Sequence, residues 1–362
     1  MKALTHEEAV EEVYRLTPQI KEYDNFMYLG VRWLPYTMYF HLTDYVSNVI
    51  NTDAFGFRYS YYKGQRISVA ELPENTTINI LVGGSTVLAT GATRDEYTTA
   101  SALSKISDEA WINFGGRGFN ATQELIMFLM HQHRFNDIGK VVIFSGMNTL
   151  TLEGLPDEHA TEHGRYYYSY EYNHYMNIYN DDLKVRQNTY GNELDKRNSG
   201  VFGKLKSYFN PTEDSNPADI VITDEASETS ERLKRAAWYC ANAAHQWKQL
   251  LAGFNADIYF FLQPLSSWTR DYLVEEEKQI FHAIDSCPNN FWRLFSKILD
   301  AQNHGPFVDH LSTMLQEHEI PFFDMNELLK TSKLLDSYLF VDRVHFNDVG
   351  YEEVGRLIYE NL

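Results

Sequence analysis

Ile78-Asn79-Ile80-Leu81-Val82-Gly83-Gly84-Ser85-Thr86 is an aliphatic run that ends abruptly in two glycines and two hydroxyl residues. Its first half is short, β-branched and free of Gly and Pro, which fits a strand buried on both faces of a parallel sheet better than an amphipathic helix. The glycines let the backbone turn sharply and let other groups approach, and the hydroxyls suit a helix start. A serine at that point projects from the carboxyl end of a strand, where open α/β sheets gather their ligands. Ser85 is therefore the candidate nucleophile; its plain alternative is a helix N-cap without chemistry.

Downstream, the same grammar repeats. Residues 94–106 have helical composition, 111–114 read as a second strand, and Gly115-Gly116-Arg117-Gly118-Phe119-Asn120 is a glycine-rich turn. Residues 121–133 form a helix, 140–144 a third strand, and Ser145-Gly146-Met147-Asn148 follows it. Strand, turn and helix joined by short connections are the signature of βαβ units and a parallel sheet. The alternation then lapses: residues 151–225 are polar and rich in tyrosine, which marks an insertion or lid. It resumes with a helix over 226–251, a strand over 257–264, helical stretches over 272–284 and 291–319, a short fifth strand over 320–323 and a final helix over 348–362. Upstream, residues 1–76 read as an N-terminal extension packed on the main sheet, with a helix near 7–16, an aromatic segment over 23–45 without clean period and a loop over 51–58. The expectation is a flavodoxin-like three-layer α/β/α fold with a mostly parallel five-stranded sheet. Its core is residues 77–150 with 226–362, and 151–225 is the insertion.

The 362 residues, 44% hydrophobic and 22% charged, describe an ordinary globular protein large enough for a full core. A formal net charge of −19 with no basic stripe argues against nucleic acid or an anionic membrane as partner. The opening Met1-Lys2-Ala3-Leu4-Thr5-His6-Glu7-Glu8 runs into a charged amphipathic pattern rather than a signal-peptide core, and no window suits a membrane span. Cys240 and Cys287 lack metal-type spacing, and two reduced thiols fit a cytoplasmic location.

Acyl transfer through serine needs a base within reach of the hydroxyl, a carboxylate to orient that base, and donors for the oxyanion. Parts of each kind fall at strand ends: Ser85 after the first strand, Gly118 after the second, Asn148 after the third, and Asp342 with His345 before the last helix. Strand ends on one edge of a parallel sheet converge. Taken alone, Gly118 also reads as a turn residue, Asn148 as a strand-end cap, and His345 with Asp342 as a structural pair before a helix.

In the order Gly83-Gly84-Ser85, Asn113 to Gly118, Ser145-Gly146-Met147-Asn148 and Asp342-Arg343-Val344-His345, the chain resembles the SGNH (GDSL-type) hydrolase superfamily. The resemblance implies the SGNH hydrolase fold, a serine esterase activity that needs no metal or organic cofactor, and an acylated small-molecule or saccharide substrate. It implies roles residue by residue: Ser85 as nucleophile, His345 as base, Asp342 as its orienting carboxylate, and Ser85, Gly118 and Asn148 as the oxyanion hole. Two positions depart from the family pattern: Gly84 stands where Gly-Asp-Ser has aspartate, and Thr149 stands where an aspartate commonly follows the third-block asparagine. The passage Phe55-Gly56-Phe57-Arg58 is similar to one preceding the serine block in bacterial members associated with surface-polysaccharide modification. The expected reaction is removal of a small acyl group, foremost O-acetyl, from a carbohydrate or related ester. An O-acyltransferase using the same triad, and a non-catalytic carbohydrate-binding or assembly protein on this scaffold, are the alternatives.

Other features carry less. Tyr166, Tyr168 and Tyr172 suit a sugar-stacking wall, or equally a satellite cluster packing the insertion. His159 and His163 share helical spacing without a zinc-protease pattern, and His131 and His133 read as surface residues near a helix end.

Overall fold

The computed structural model describes residues 4–29, 31–156, 165–167, 174–185, 228–287 and 291–362. The chain divides into two compact units, Met1–Leu155 with Ser227–Leu362, and Pro156–Ala226. The first unit is built on a five-stranded sheet of β5 (Ile78–Gly83), β6 (Ala110–Gly115), β7 (Ile138–Ser145), β8 (Asp257–Leu262) and β9 (Phe322–Asp324). Its spatial order is β6-β5-β7-β8-β9 and every pairing is parallel. Numbered within the sheet, that is the 2-1-3-4-5 order of flavodoxin-like folds. Every residue of β5 and β6 is buried. This two-sided burial is why these strands read as continuous apolar runs instead of alternating ones.

Helices cover both faces. On one side Thr229–Leu251 packs on Ala121–His131, Met147–Glu153 and His304–Glu317. Its buried stripe of Ala236, Ala237, Cys240, Ala243 and Ala244 is narrow enough for close approach, and Trp247 packs tilted against Phe128 with ring centroids 4.3 Å apart. On the other side Thr99–Ser107 and Asp348–Tyr359 pack together over Leu103, Trp111, Tyr351, Val354 and Leu357. Each such fully buried side chain contributes about 1.5–3 kcal/mol relative to exposure.

Three expectations need correction. Residues 23–45 hold the end of a helix, Ile20–Leu29, and then an antiparallel hairpin of β1 (Val31–Leu34) and β2 (Met38–His41). A smaller hairpin, β3 (Ser60–Tyr62) and β4 (Gln65–Ile67), follows. The stretch 291–319 is not one helix: Phe291–Phe295 and His304–Glu317 are separated by a turn. There the Asp300 carboxylate accepts the Gln302 amide and the Asn303 side chain donates to the Lys297 and Ile298 carbonyls, so short polar side chains take over backbone groups a helix would use. Pro306 fits only because it falls in the first turn of the second helix. His131 is half-buried, not a surface residue. It packs 5.5 and 5.0 Å from the rings of Phe55 and Phe57, and burial pushes its pKa down to about 4.

Glu124 lies in the interior, 1% exposed, beside the third strand end, where it shares a 2.7 Å hydrogen bond with Ser145 Oγ. Burial pushes its pKa up to about 8, against a smaller opposing effect of that hydrogen bond. A carboxyl whose folded-state pKa exceeds its unfolded one contributes stability in full below the unfolded value, and that contribution is lost as pH rises through the folded value. Glu124→Gln keeps the shape and a hydrogen bond but cannot ionise. Its thermal midpoint is expected to match or trail the parent at pH 5 and to exceed it at pH 9, by on the order of a few kcal/mol of stability. Melting curves at the two pH values check this; a pH-independent difference sinks it.

Candidate active site

The turn after β5 leads directly into a short helix, Ser85–Leu88, whose N-cap is Gly84, so Ser85 is the first helical residue and not the cap. The hydroxyl is left to face the far end of the chain. Ser85 Oγ lies 2.7 Å from His345 Nε2, and His345 Nδ1 lies 2.6 Å from Asp342 Oδ2. The other carboxylate oxygen accepts the backbone amides of Val344 and His345, both at 2.8 Å. Desolvation raises the Asp342 carboxyl, but a positive His345, its hydrogen bond and the two amides outweigh this, and the net pKa falls below the ordinary aspartate value. The carboxylate is thus held toward its ionised form despite its burial.

The loop carrying both residues is tightly held. Phe340 and Phe346 pair across it, and the Val341 amide donates to the His345 carbonyl at 2.9 Å. Glu277, buried and ion-paired with Arg270, accepts the Leu339 and Phe340 amides at 3.1 Å each. Thr86, next to the serine, ties this loop to the Ser85–Leu88 helix. Its hydroxyl donates to Val344 O at 3.2 Å and accepts from Gln263 Nε2 at 2.6 Å. Composition and motif reading missed Thr86, Gln263 and Glu277. Each is a common polar residue whose only signal is its place beside a strand end or a motif.

The second and third strand ends meet behind the serine. Asn113 donates to Val87 O at 2.7 Å and accepts the Gly115 amide at 3.0 Å, joining β6 to the Ser85–Leu88 helix. Gly116 N donates to Gly83 O at 2.9 Å, Gly118 takes a left-handed φ of +65°, and Asn148 Nδ2 donates to Phe119 O at 2.8 Å. Among the described residues neither the Ser85 nor the Gly118 amide donates to a protein acceptor. A Cβ on Gly84 would fall 2.3 Å from Asn148 Nδ2. The glycine at 84 therefore has a local reason: any side chain there would force Asn148 off its present seat. Thr149, the other departure, accepts the Ala121 amide at 3.1 Å and so fastens the helix after β6.

Ser85, Gly118, Asn148, Asp342 and His345 are all half-buried. The arrangement can deprotonate a hydroxyl during attack on a carbonyl and return the proton to a departing alcohol. Tyr166 is buried, within the Pro156–Ala226 unit. Tyr168 and Tyr172, like His159 and His163, lie outside the described residues. Among the described residues, His304, Asp324 and Glu327 bring metal-ligand atoms within 4.8 Å of one another. His304 and Asp324 are already hydrogen-bonded at 2.7 Å, and Asp324 also caps the helix Met325–Lys330.

No helix among the described residues is long and apolar enough to cross a membrane. No family model matches the chain, and no curated protein does. Among solved structures, a lipase/acylhydrolase from Enterococcus faecalis is similar at 13% identity, covering 79% of this chain and 94% of that one with a TM-score of 0.38. The acetyl xylan esterase AlAXEase is similar at 11% identity over 79% and 99%, TM-score 0.41. A lipolytic protein of the G-D-S-L family from Veillonella parvula DSM 2008 is similar at 10% identity over 78% and 97%, TM-score 0.39. By its own topology the chain is a flavodoxin-like α/β/α protein, with Ser85, His345 and Asp342 in hydrogen-bonded series at one edge of its sheet.

Proposed function

We propose that this chain is an SGNH-type serine esterase that removes a small acyl group, foremost acetyl, from a carbohydrate hydroxyl. The observation that carries the reading is the unbroken series Ser85 Oγ, His345 Nε2, His345 Nδ1, Asp342 Oδ2, with hydrogen-bond lengths of 2.7 and 2.6 Å. In this reading Ser85 Oγ attacks the ester carbonyl while His345 Nε2 takes its proton. The oxyanion is met by the Ser85 and Gly118 amides and the Asn148 side chain. Collapse of the tetrahedral intermediate expels the sugar alkoxide, which takes the proton from His345, and leaves an acyl-Ser85 ester. Water, deprotonated by the same imidazole, then releases the carboxylic acid and restores the hydroxyl. Asp342 stays ionised and favours the imidazolium at each step. The choice of a saccharide rests on the Phe55-Gly56-Phe57-Arg58 passage and its similarity to polysaccharide-modifying members.

Brief exposure to an activated acetyl ester and to a serine-directed phosphonate, followed by intact mass spectrometry, is expected to give a stoichiometric adduct on the parent and none on Ser85→Ala. Absence of labelling on both proteins would mean that Ser85 is not an activated nucleophile.

A further inference from the structure

The oxyanion turn is held from beneath by a residue far away in sequence. His41, at the end of β2, is 3% exposed, and both of its ring nitrogens are used. Nε2 accepts the backbone amide of Arg117 at 3.0 Å, and Nδ1 faces the carbonyl of Gly56 at 3.0 Å. These partners leave no choice of tautomer. A backbone N–H can only donate, so Nε2 carries the lone pair. A carbonyl can only accept, so Nδ1 carries the proton. Phe40 stacks on the ring at 4.3 Å and Phe26 lies 5.6 Å away, so the imidazole cannot rotate without disturbing the core. Burial drives its pKa down to about 3, which keeps it neutral and able to accept.

Arg117 sits between Gly116, pinned to Gly83 O, and Gly118, whose φ is +65°. With the Arg117 amide drawn inward to His41, the next amide in the turn is the one left for the oxyanion. We propose that His41 is a positioning residue for this reaction: by accepting the Arg117 amide it sets the orientation of the Gly118 amide at the oxyanion hole. The inference rests on the esterase reading for its kinetic consequence, but the brace itself does not.

Two near-isosteric variants separate the two ring contacts. Glutamine at 41 can place an oxygen where Nε2 stands and still accept from Arg117, whereas asparagine reaches only the Nδ1 side, toward Gly56. Removing an oxyanion donor outright typically lowers kcat by ~10²–10³, so a misaligned one is expected to lower it by about 10–100-fold. His41→Asn should show that fall with KM within about twofold of the parent, and His41→Gln should keep most of kcat. Equal kcat in all three folded proteins, or a loss in His41→Gln as large as in His41→Asn, overturns the proposal. Nitrogen-15 histidine NMR of the unmodified protein supplies a readout independent of turnover. His41 should be locked in the Nδ1–H tautomer at neutral pH, and the Arg117 amide should lose its protection from hydrogen exchange in His41→Asn and keep it in His41→Gln. The opposite tautomer overturns the brace. Parent protein that holds the Nδ1–H tautomer but neither labels nor turns over esters sinks the esterase reading and, with it, the kinetic role of His41.

Discussion

Asp342→Asn is expected to lower kcat on an acetyl ester by about 10⁴-fold with KM and melting temperature close to the parent, as loss of an orienting carboxylate does in serine hydrolases. The reason is local. One oxygen of Asp342 accepts two backbone amides, from Val344 and His345, while the other faces His345 Nδ1. An asparagine must turn its carbonyl toward the two N–H donors, because its NH₂ group would clash with them electrostatically. The NH₂ then faces Nδ1 and donates to it. The imidazole is forced into the tautomer with its proton on Nε2, pointing at Ser85 Oγ, and can no longer receive the serine proton. Binding is untouched because neither Asp342 nor the tautomer contacts the acyl group in the proposed mechanism. Steady-state kinetics with phosphonate labelling rates check this. A loss of less than tenfold in both would mean that His345 is not the base.

Much of this site is legible in the sequence because strand ends in a parallel sheet are marked by sharp transitions. Ile78–Gly83 into Ser85, and Val141–Ser145 into Asn148, are buried runs that stop at residues with special backbone or hydrogen-bonding character. Asp342 and His345 are adjacent enough to be recognised as a pair, and the structure brings them to Ser85 across 260 residues of chain. What stays hidden is the support. Thr86, Gln263, Glu277 and His41 act through contacts between elements remote in sequence, and nothing in their local composition announces a partner. The hairpin of β1 and β2 is hidden for a different reason: Tyr36 in its turn and Met38 at the start of β2 take positive φ, where glycine or asparagine would have been the signal.

The N-terminal segment also holds the Ser85–Leu88 helix, and here the expected effect is on stability. Arg58 is fully buried and donates from Nε to Asp95 at 2.8 Å, and from its two terminal nitrogens to Tyr23 Oη, Leu88 O, Ala89 O and Val49 O at 2.7–3.0 Å. Leu88 and Ala89 close the Ser85–Leu88 helix, and Asp95, itself 1% exposed at its side chain, also accepts the Asn51 side chain at 2.7 Å. Arg58→Met removes the cation and leaves the carboxylate buried, a change that costs about 3–5 kcal/mol when a buried pair is broken from one side. Urea denaturation should show that loss, and the double variant Arg58→Met with Asp95→Leu should recover part of it, since no buried charge remains. A double variant as unstable as the sum of the two single ones would mean that the pair is not coupled. Arg58→Lys is expected to fall much nearer to methionine than to arginine. A single ammonium can satisfy Asp95, but it cannot also reach the helix-end carbonyls and Val49 O, which a planar fork of five donors serves at once.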